Sequence, residues 1–255
     1  MTTPGSRDGD ALLLDTVTVA EQMAVAMARL LRNGETVFFG VASPLPMVAA
    51  LLAKRLHAPD LTVLTIPGGV DPTPGSLPIS TADPSLMAGA ASLVTLADIF
   101  DLSARGRLDT AFLSGVQIDQ QARINMSAIG DPRRPKVRLP GGAGSAALMP
   151  TARRTILWRT RHDPRTFVPE LAFVTAAGNV EYVVTPLCVL RREQGLLQLA
   201  SVHPFSGAAQ VQAATGFPLT LGPSTPVTPP PTEQERAALA AIDPAGVVAA
   251  EFQAR

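Results

Sequence analysis

Residues 36–66 read TVFFGVASPLPMVAALLAKRLHAPDLTVLTI and predict a strand, a helix and a second strand. The run 36–42 is continuously apolar, as is typical of a strand that is buried on both faces of a parallel sheet, and residues 61–66 predict the second strand. Residues 43–60 predict the helix between them, with Pro46 near its first turn and Ala58-Pro59 at its end. Because the connections are short, this stretch predicts an α/β fold with an open, mainly parallel sheet and flanking helices.

The sequence on either side extends the same alternation. Apolar residues recur at three- and four-residue steps over residues 17–31 and predict an amphipathic helix that ends at Asn33-Gly34. Residues 84–100 are mostly small and apolar and predict helix and turn. Further strands are predicted at 109–115, 154–160 and 170–176.

The sequence pattern changes after Gly178, from one that predicts alternating strands and helices to one that predicts a hairpin. Residues 181–204 alternate and contain the turn Glu193-Gln194-Gly195, which predicts a small C-terminal β-hairpin section. Thr232 and Glu235 form a capping-box pattern. The remaining expectations are a short helix at 206–217, a proline-rich extended segment at 221–235, a helix at 233–242 and a last helix within 244–255. We expect a flexible leader at 1–14 and a single domain over 15–255.

Composition narrows the functional class. The formal net charge of the 255 residues is zero, so long-range attraction to nucleic acid or to an anionic membrane is not expected. The N-terminus lacks the pattern of a signal peptide, and no run of about 18 apolar residues exists, so we expect a cytoplasmic protein without a membrane span.

Cysteine and histidine usage argues against a metal site. Cys188 is the one cysteine, and its apolar surroundings predict a buried strand residue. His57, His162 and His203 lie far apart and form no ligand spacing, so we expect no metal and no tightly bound cofactor.

Residues 125–144, NMSAIGDPRRPKVRLPGGAG, are the strongest candidate for a ligand site. Arg133, Arg134, Lys136 and Arg138 fall within six positions, and the stretch closes on a glycine-rich turn. Cations attract an anionic ligand, and glycines let main-chain N–H groups approach it closely. Composition alone fits an exposed basic loop equally well.

The candidate walls of this site are the loops that follow the two clearest strands. Residues 40–43 and 67–75 are rich in Gly, Pro and small polar residues. In open α/β sheets, ligands bind beyond the carboxyl ends of the strands.

Several blocks, in this order and spacing, resemble the β-type subunit of family I CoA-transferases, most closely the glutaconate CoA-transferase branch. The resemblance runs from about Val19 to Pro244. The blocks are NGETVFFGVASPLPMVAALLAKRLHAPD, SGVQID, NMSAIGD with RPKVRLPGGAG, RHDPRTFVPELAFVT and VHPFSGAAQVQAATGF.

The resemblance implies an active site that is shared with a homologous α-type subunit, in an α2β2 or similar assembly. It implies that coenzyme A thioesters are the substrates and that CoA moves between carboxylic acids through a glutamyl thioester. The glycine turn, here Gly141, Gly142 and Gly144, is then expected to bind the acyl or CoA moiety.

The sequence departs from the family where the nucleophile is expected. The β-chain glutamate follows the second strand in the family, and Pro67 occupies that place here. Asp71, the nearest carboxylate, is shorter and lies four residues later, which misplaces it for attack. No glutamate lies between Thr36 and Pro169.

Three interpretations therefore stay open. The chain is a transferase β subunit, or the β subunit of a hydrolase resembling those that open a steroid-derived ring on a CoA ester, with the catalytic glutamate in the α partner. The third is a non-catalytic partner subunit. Under the first two, the expected polar contacts from this chain are Asn125, Ser127, Arg134 and Arg138.

Overall fold

The computed structural model describes residues 16–220 and 224–253. The helices are α1 (Thr16–Arg29), α2 (Pro44–Leu56), α3 (Leu96–Ala104), α4 (Ser145–Thr151), α5 (Ala208–Ala213), α6 (Glu233–Ile242) and α7 (Val247–Gln253), with a 3₁₀ turn at Pro84–Met87. The strands are β1 (Thr36–Phe39), β2 (Thr62–Leu64), β3 (Gly69–Val70), β4 (Ser92–Leu93), β5 (Thr110–Ser114), β6 (Gln117–Ile118), β7 (Ile124–Asn125), β8 (Ala128–Ile129), β9 (Val137–Arg138), β10 (Arg154–Trp158), β11 (Val180–Val184), β12 (Cys188–Glu193) and β13 (Leu196–Val202).

One nine-stranded sheet organises the fold, in the order β13-β12-β11-β10-β5-β1-β2-β3-β4. The five central strands from β11 to β2 are parallel. β3 and β4 add antiparallel pairs at one edge, and β12 and β13 do so at the other. The expected mainly parallel α/β sheet is confirmed, and the C-terminal hairpin continues that same sheet.

Two apolar cores cover the two faces of the sheet. Phe39 packs with α1, α2, α6 and α7 on one face, whereas its neighbour Phe38 packs with α3 and α4 on the other. Both rings are buried. Successive side chains of a strand point to opposite faces, which explains why a strand covered on both sides reads as an unbroken apolar run.

A buried ion cluster lies at the amino ends of the parallel strands. The guanidinium of Arg154, at the start of β10, lies 2.6 Å from the Glu35 carboxylate and 3.3 Å from that of Glu181. It also donates to the main-chain oxygen of Leu30 at 2.8 Å. Arg154 is 6% exposed, so these contacts offset the cost of burying its charge.

The C-terminal helices follow the sequence pattern closely. α6 spans the expected residues, and Thr232 and Glu235 make the reciprocal hydrogen bonds of a capping box. Glu235 also pairs with Arg29 of α1 at 2.6 Å. The Arg29 guanidinium and the Thr232 groups hold the pKa of Glu235 at about 2. These contacts fasten the end of the chain onto α1.

The strand expected at 170–176 is wrong. This segment is irregular, with bends at residues 170, 172 and 173, and within it only Ala176 makes an isolated bridge, to Ile124. β10 is already paired with β5 on one side and β11 on the other, so neither of its edges can accept another strand. Phe173 and Val174 are 40% exposed.

Other differences concern boundaries and small elements. α4 and the two-residue strand pairs β6–β7 and β8–β9 were not expected. α5 is shorter than the 206–217 expectation, and β1 stops at Phe39. The proposed leader at 1–14 and residues 221–223 of the proline-rich segment lie outside the described residues. Within the described ranges, none of the helices has the length and hydropathy that crossing a bilayer requires.

Candidate active site

A cleft of about 440 Å³ opens at the carboxyl ends of β1, β5 and β10. The chain order places it at a switch point, because β1 leads to β2 on one side while β5 and β10 lie on the other. Residues that directly follow each of these strands line the cleft, together with residues 140–145. This is the position at which open α/β sheets bind ligands.

Most of the cleft wall is apolar. Phe38, Leu113 and Trp158 come from the strands, and Phe100 and Leu148 come from helices on one face. Of the described lining residues, Arg159 and Glu251 are the charged ones. The walls therefore suit a ligand with an extended apolar part and a few polar groups.

The glycine loop at 141–144 forms one wall and curls into the first turn of α4. The Gly141 N–H donates to the main-chain oxygen of Met126 at 2.7 Å, and the Gly142 oxygen accepts from the Ser145 N–H at 2.8 Å. Gly141 has φ +92°, a left-handed conformation that glycine adopts without strain.

At two of these positions a residue larger than glycine would collide with a neighbouring side chain. A Cβ on Gly142 would lie 2.6 Å from Cγ2 of Thr175, and one on Gly144 would lie 2.6 Å from the Phe100 ring. The structure thus brings Gly141, Gly142 and Gly144 together in the cleft wall, as the sequence suggested. Their role in binding a thioester stays a prediction.

The basic residues of the same stretch lie elsewhere. Arg138 is on β9, which pairs with β8, and the intervening turn carries the other three cations. All four cationic residues are exposed, and none lines the cleft. The cations and the glycine loop are adjacent along the chain, but the glycine loop lines the cleft and the cations lie on the exposed surface outside it.

Asn125 and Ser127 support the glycine loop from behind. The Asn125 side chain is fully buried and donates to Gln117 Oε1 at 2.9 Å and to the Ala128 oxygen at 2.7 Å. Its Oδ1 accepts from the Ser127 N–H at 3.0 Å. The Ser127 hydroxyl lies 2.7 Å from that of Thr175. Neither residue lines the cleft, so their polar groups shape the segment that holds Gly141.

The place of the family nucleophile is a tight turn after β2. The Gly68 N–H donates to the Thr65 oxygen at 3.0 Å, and Ile66 lines the cleft. Gly68 has φ +103°, and a Cβ there would lie 2.0 Å from the Val94 oxygen. The turn around Pro67 therefore contributes an apolar side chain to the cleft, and no carboxylate.

Glu251 is the site residue that sequence reasoning missed. It lies on α7 and lines the cleft, and its Oε2 accepts a hydrogen bond from the Leu45 N–H at 3.2 Å. Glu251 is 206 positions from Leu45 along the chain and lies outside the loops that follow the strands. Only the packing of α7 brings the two together.

A second polar cluster lies beyond the carboxyl ends of β10 and β11. The His162 ring nitrogens lie 2.8 Å from the Thr185 hydroxyl and 2.9 Å from that of Thr215, and His203 contacts the Thr185 oxygen at 2.9 Å. Burial lowers the pKa of each histidine to about 4. None of these residues lines the cleft.

The single cysteine belongs to this second cluster. Cys188 is fully buried in β12, as expected, and burial raises the pKa of its thiol to about 12. Since the thiolate is the reactive form, this cysteine is chemically inert. In residues 16–220 and 224–253, no group of three or more His, Cys, Asp or Glu side chains is placed to hold a metal ion.

Comparison with known proteins relates the chain to a family of CoA enzymes. The chain is 34% identical to the β-type subunit of 3-oxoadipate CoA-transferase of Pseudomonas knackmussii, over 88% of this chain and 92% of the relative. It is 27% identical to the corresponding subunit of glutaconate CoA-transferase of Acidaminococcus fermentans, over 84% and 88%. It is also 26% identical to the IpdB subunit of the cholesterol ring-cleaving hydrolase of Rhodococcus jostii, over 86% and 89%.

A solved structure and a family model extend this similarity. The crystal structure of the decarboxylase AibA/AibB superposes with a TM-score of 0.87 at 34% identity, covering 93% of this chain and all of that chain. The model described as coenzyme A transferase matches residues 20–214. The expected resemblance is confirmed, and the chain belongs to the coenzyme A transferase family.

Proposed function

We propose that this chain is the β subunit of a heteromeric enzyme that binds an acyl-CoA thioester in the cleft and acts with an α-type partner. The observation that carries the proposal is the glycine loop, which forms a wall of an apolar cleft at the switch point of the sheet. Relatives named as subunits of two-part enzymes support the need for a partner. We expect the assembly to be cytoplasmic.

The two halves of residues 125–144 suit the two ends of coenzyme A. The apolar cleft and the glycine loop fit the acyl group and the thioester, because main-chain N–H groups can stabilise a developing oxyanion. The exposed cations, Arg134 and Arg138 among them, lie outside the cleft and fit the phosphates at the other end of the cofactor. A long ligand can contact both surfaces.

The choice of reaction turns on the missing carboxylate at Pro67. Transfer of CoA between carboxylic acids is the reaction that the family name and the relatives named as CoA-transferases support. In that reaction a carboxylate attacks the thioester and CoA–S⁻ leaves. The turn after β2 supplies no such group, so transfer requires a carboxylate from the partner or from the second acid itself.

The Pro67 turn favours a second candidate, in which the partner supplies a glutamate that activates water. The water oxygen adds to a carbonyl of the acyl-CoA, a carbon–carbon bond breaks, and the departing carbon takes up a proton. A named ring-cleaving hydrolase among the relatives supports this alternative. A third possibility, a β chain that only completes the assembly, predicts that substitutions in this cleft leave turnover unchanged.

The test uses the complex purified after co-expression with the α-type chain. Incubation with an acyl-CoA and a second carboxylic acid distinguishes the reactions by product: a new acyl-CoA for transfer, or a ring-opened CoA ester for hydrolysis with a cyclic substrate. Borohydride trapping followed by peptide mapping shows which chain, if either, carries a thioester. A glutamyl thioester on this chain would contradict the argument from Pro67. A complex that binds no acyl-CoA overturns the proposed function.

A further inference from the structure

We infer that Glu251 is a positioning residue for the active site: its carboxylate, delivered by the C-terminal helix, fixes the turn at 40–43 that lines the cleft. The expected effect on turnover rests on the proposed function. The claim that Glu251 fixes the turn at 40–43 does not depend on that function. Glu251 lies beyond the part of the chain that the family model matches, which ends at residue 214.

The turn at 40–43 depends on support from outside itself. Ala42 has φ +50°, a left-handed conformation that costs about 1 kcal/mol or more for a residue with a Cβ. Ser43 is the N-cap of α2, yet its side chain makes no capping bond, because its hydroxyl donates to the Val41 oxygen at 3.2 Å. The hydroxyl of buried Thr81 donates to the Gly40 oxygen at 2.8 Å and accepts from the Ser43 N–H at 3.3 Å, so it bridges the two ends of the turn but does not reach the first turn of α2.

Glu251 supplies the cap that Ser43 does not. Its Oε2 accepts from the Leu45 N–H, one of the main-chain donors that the first turn of a helix leaves unused. A carboxylate at this end of a helix is also favoured by the helix dipole. Because Leu45 is the second residue of α2, two positions after the turn, this bond fixes the point at which the turn passes into α2.

α7 holds Glu251 firmly enough to do this. Val247 and Val248 are buried in the core shared with α1 and α2. The Asp243 carboxylate accepts from the N–H groups of both, at 2.8 and 3.0 Å, and so caps α7 itself. The C-terminal helix thus forms a braced support that places a carboxylate at the edge of the cleft.

Loss of the Glu251 cap has different consequences if the cap only stabilises the fold than if it also positions the cleft turn. Loss of a structural cap lowers the melting temperature and leaves turnover intact well below it. Loss of a positioning cap lets the cleft turn move under all conditions. Since misplacing a binding group by about 1 Å can cost about a hundredfold in rate, we expect kcat/KM to fall by about tenfold or more.

The experiment compares Glu251→Ala, Glu251→Gln and Glu233→Ala in the co-purified complex, at a temperature well below melting. Glutamine keeps an oxygen that can accept from Leu45, and Glu233 is an exposed glutamate on the neighbouring helix α6. Hydrogen exchange of the amides at 40–47 and kcat/KM are measured for each variant. We expect faster exchange and lower kcat/KM for alanine, recovery to within about threefold for glutamine, and no change for Glu233→Ala.

Two results overturn the inference. Unchanged exchange at 40–47 in Glu251→Ala shows that the turn does not depend on the cap. A glutamine variant as impaired as the alanine variant shows that the charge of Glu251, and not the hydrogen bond, is what matters. If the wild-type complex turns over no acyl-CoA, the proposed function fails, and the exchange measurement still tests the positioning.

Discussion

The Lys54 ammonium lies 2.6 Å from the Asp71 carboxylate, and Asp71 is held beside Val63 of β2, outside the cleft lining. The same Asp71 oxygen accepts from the Val63 N–H at 2.8 Å, and Lys54 also donates to the Leu61 oxygen. The one nearby acidic alternative to the missing glutamate is therefore a structural residue that joins α2 to the sheet.

Replacing Asp71 with alanine should weaken folding and leave chemistry intact. The substitution removes the ion pair and the bond to Val63, and we expect the free energy of unfolding to fall by about 1–3 kcal/mol. Urea denaturation of the complex measures the loss. A folded Asp71→Ala complex without activity would show that Asp71 takes part in the reaction after all.

Replacing Gly142 with valine should block the cleft wall. The new Cβ would meet Cγ2 of Thr175 at 2.6 Å, and overpacking of this kind costs about 1–3 kcal/mol, so the loop must move away from its position. We expect acyl-CoA binding, measured by calorimetry on the complex, to weaken by about tenfold or more.

Gly207→Val is the matched control for this experiment. Gly207 has no atom within 4 Å of its Cβ position and has an extended backbone, with φ −134°. Binding should be unchanged in this control. Normal binding and turnover by Gly142→Val would show that the glycine loop does not contact the ligand.

Acid should destabilise the protein through its buried histidines. The pKa of His162 and of His203 is about 4 in the folded chain, against an ordinary value of 6.5. Between these values the unfolded chain binds more protons, so the free energy of unfolding is at its full value above pH 6.5 and falls as the pH drops towards 4. The slope reaches at most about 1.4 kcal/mol per pH unit for each histidine.

The difference between the wild type and His162→Gln isolates this effect from the carboxylates that titrate lower. Denaturant midpoints between pH 7 and pH 4.5 should decline less steeply in the variant. Asp163 is next to His162 and its charge opposes the shift, but burial dominates. Parallel pH profiles for the two proteins would show that His162 is not buried in its neutral form.

The isolated chain should self-associate. Large apolar side chains remain exposed, including Val41 of the cleft wall at 60%, Leu93 of β4 at 64% and Ile79 at 68%. Exposed apolar surface of this kind marks an interface in a protein that needs a partner. Light scattering should show a polydisperse preparation that becomes a defined complex on co-expression. A stable monodisperse monomer would contradict this prediction.

The central sheet was predictable because burial on both faces leaves a local signature. The apolar runs around Phe38 and Phe112 mark strands whatever their neighbours are. The small strand pairs leave no such signature, because β6 and β7 depend on contacts with Phe167 and Ala176 from distant parts of the chain. Residues 170–176 carry the apolar composition of a strand, but both sides of β10, the strand that precedes them, are already paired.

In the candidate site, too, residues that belong to a local sequence pattern were predictable, and residues placed by long-range packing were not. The glycine-rich composition of residues 141–144 is local, and it pointed to the cleft wall, although the close contact of Gly142 is with the distant Thr175. The cleft position of Glu251 depends on how α7 packs across α2, which no local pattern encodes. The basic residues at 133–138 were correctly seen as a cluster, but sequence adjacency could not show that they leave the cleft.

The Arg154 ion cluster and the cleft lie at opposite ends of the parallel strands, so substitutions at the two places have different consequences. It lies at the amino ends of the strands, whereas the cleft lies at their carboxyl ends. Removing one partner of a buried ion pair costs about 3–5 kcal/mol, so the amino-end cluster constrains the fold and leaves the ligand untouched. Libraries aimed at new acyl specificity can therefore be confined to the loops at the carboxyl edge, while Arg154, Glu35 and Glu181 are kept fixed as the scaffold.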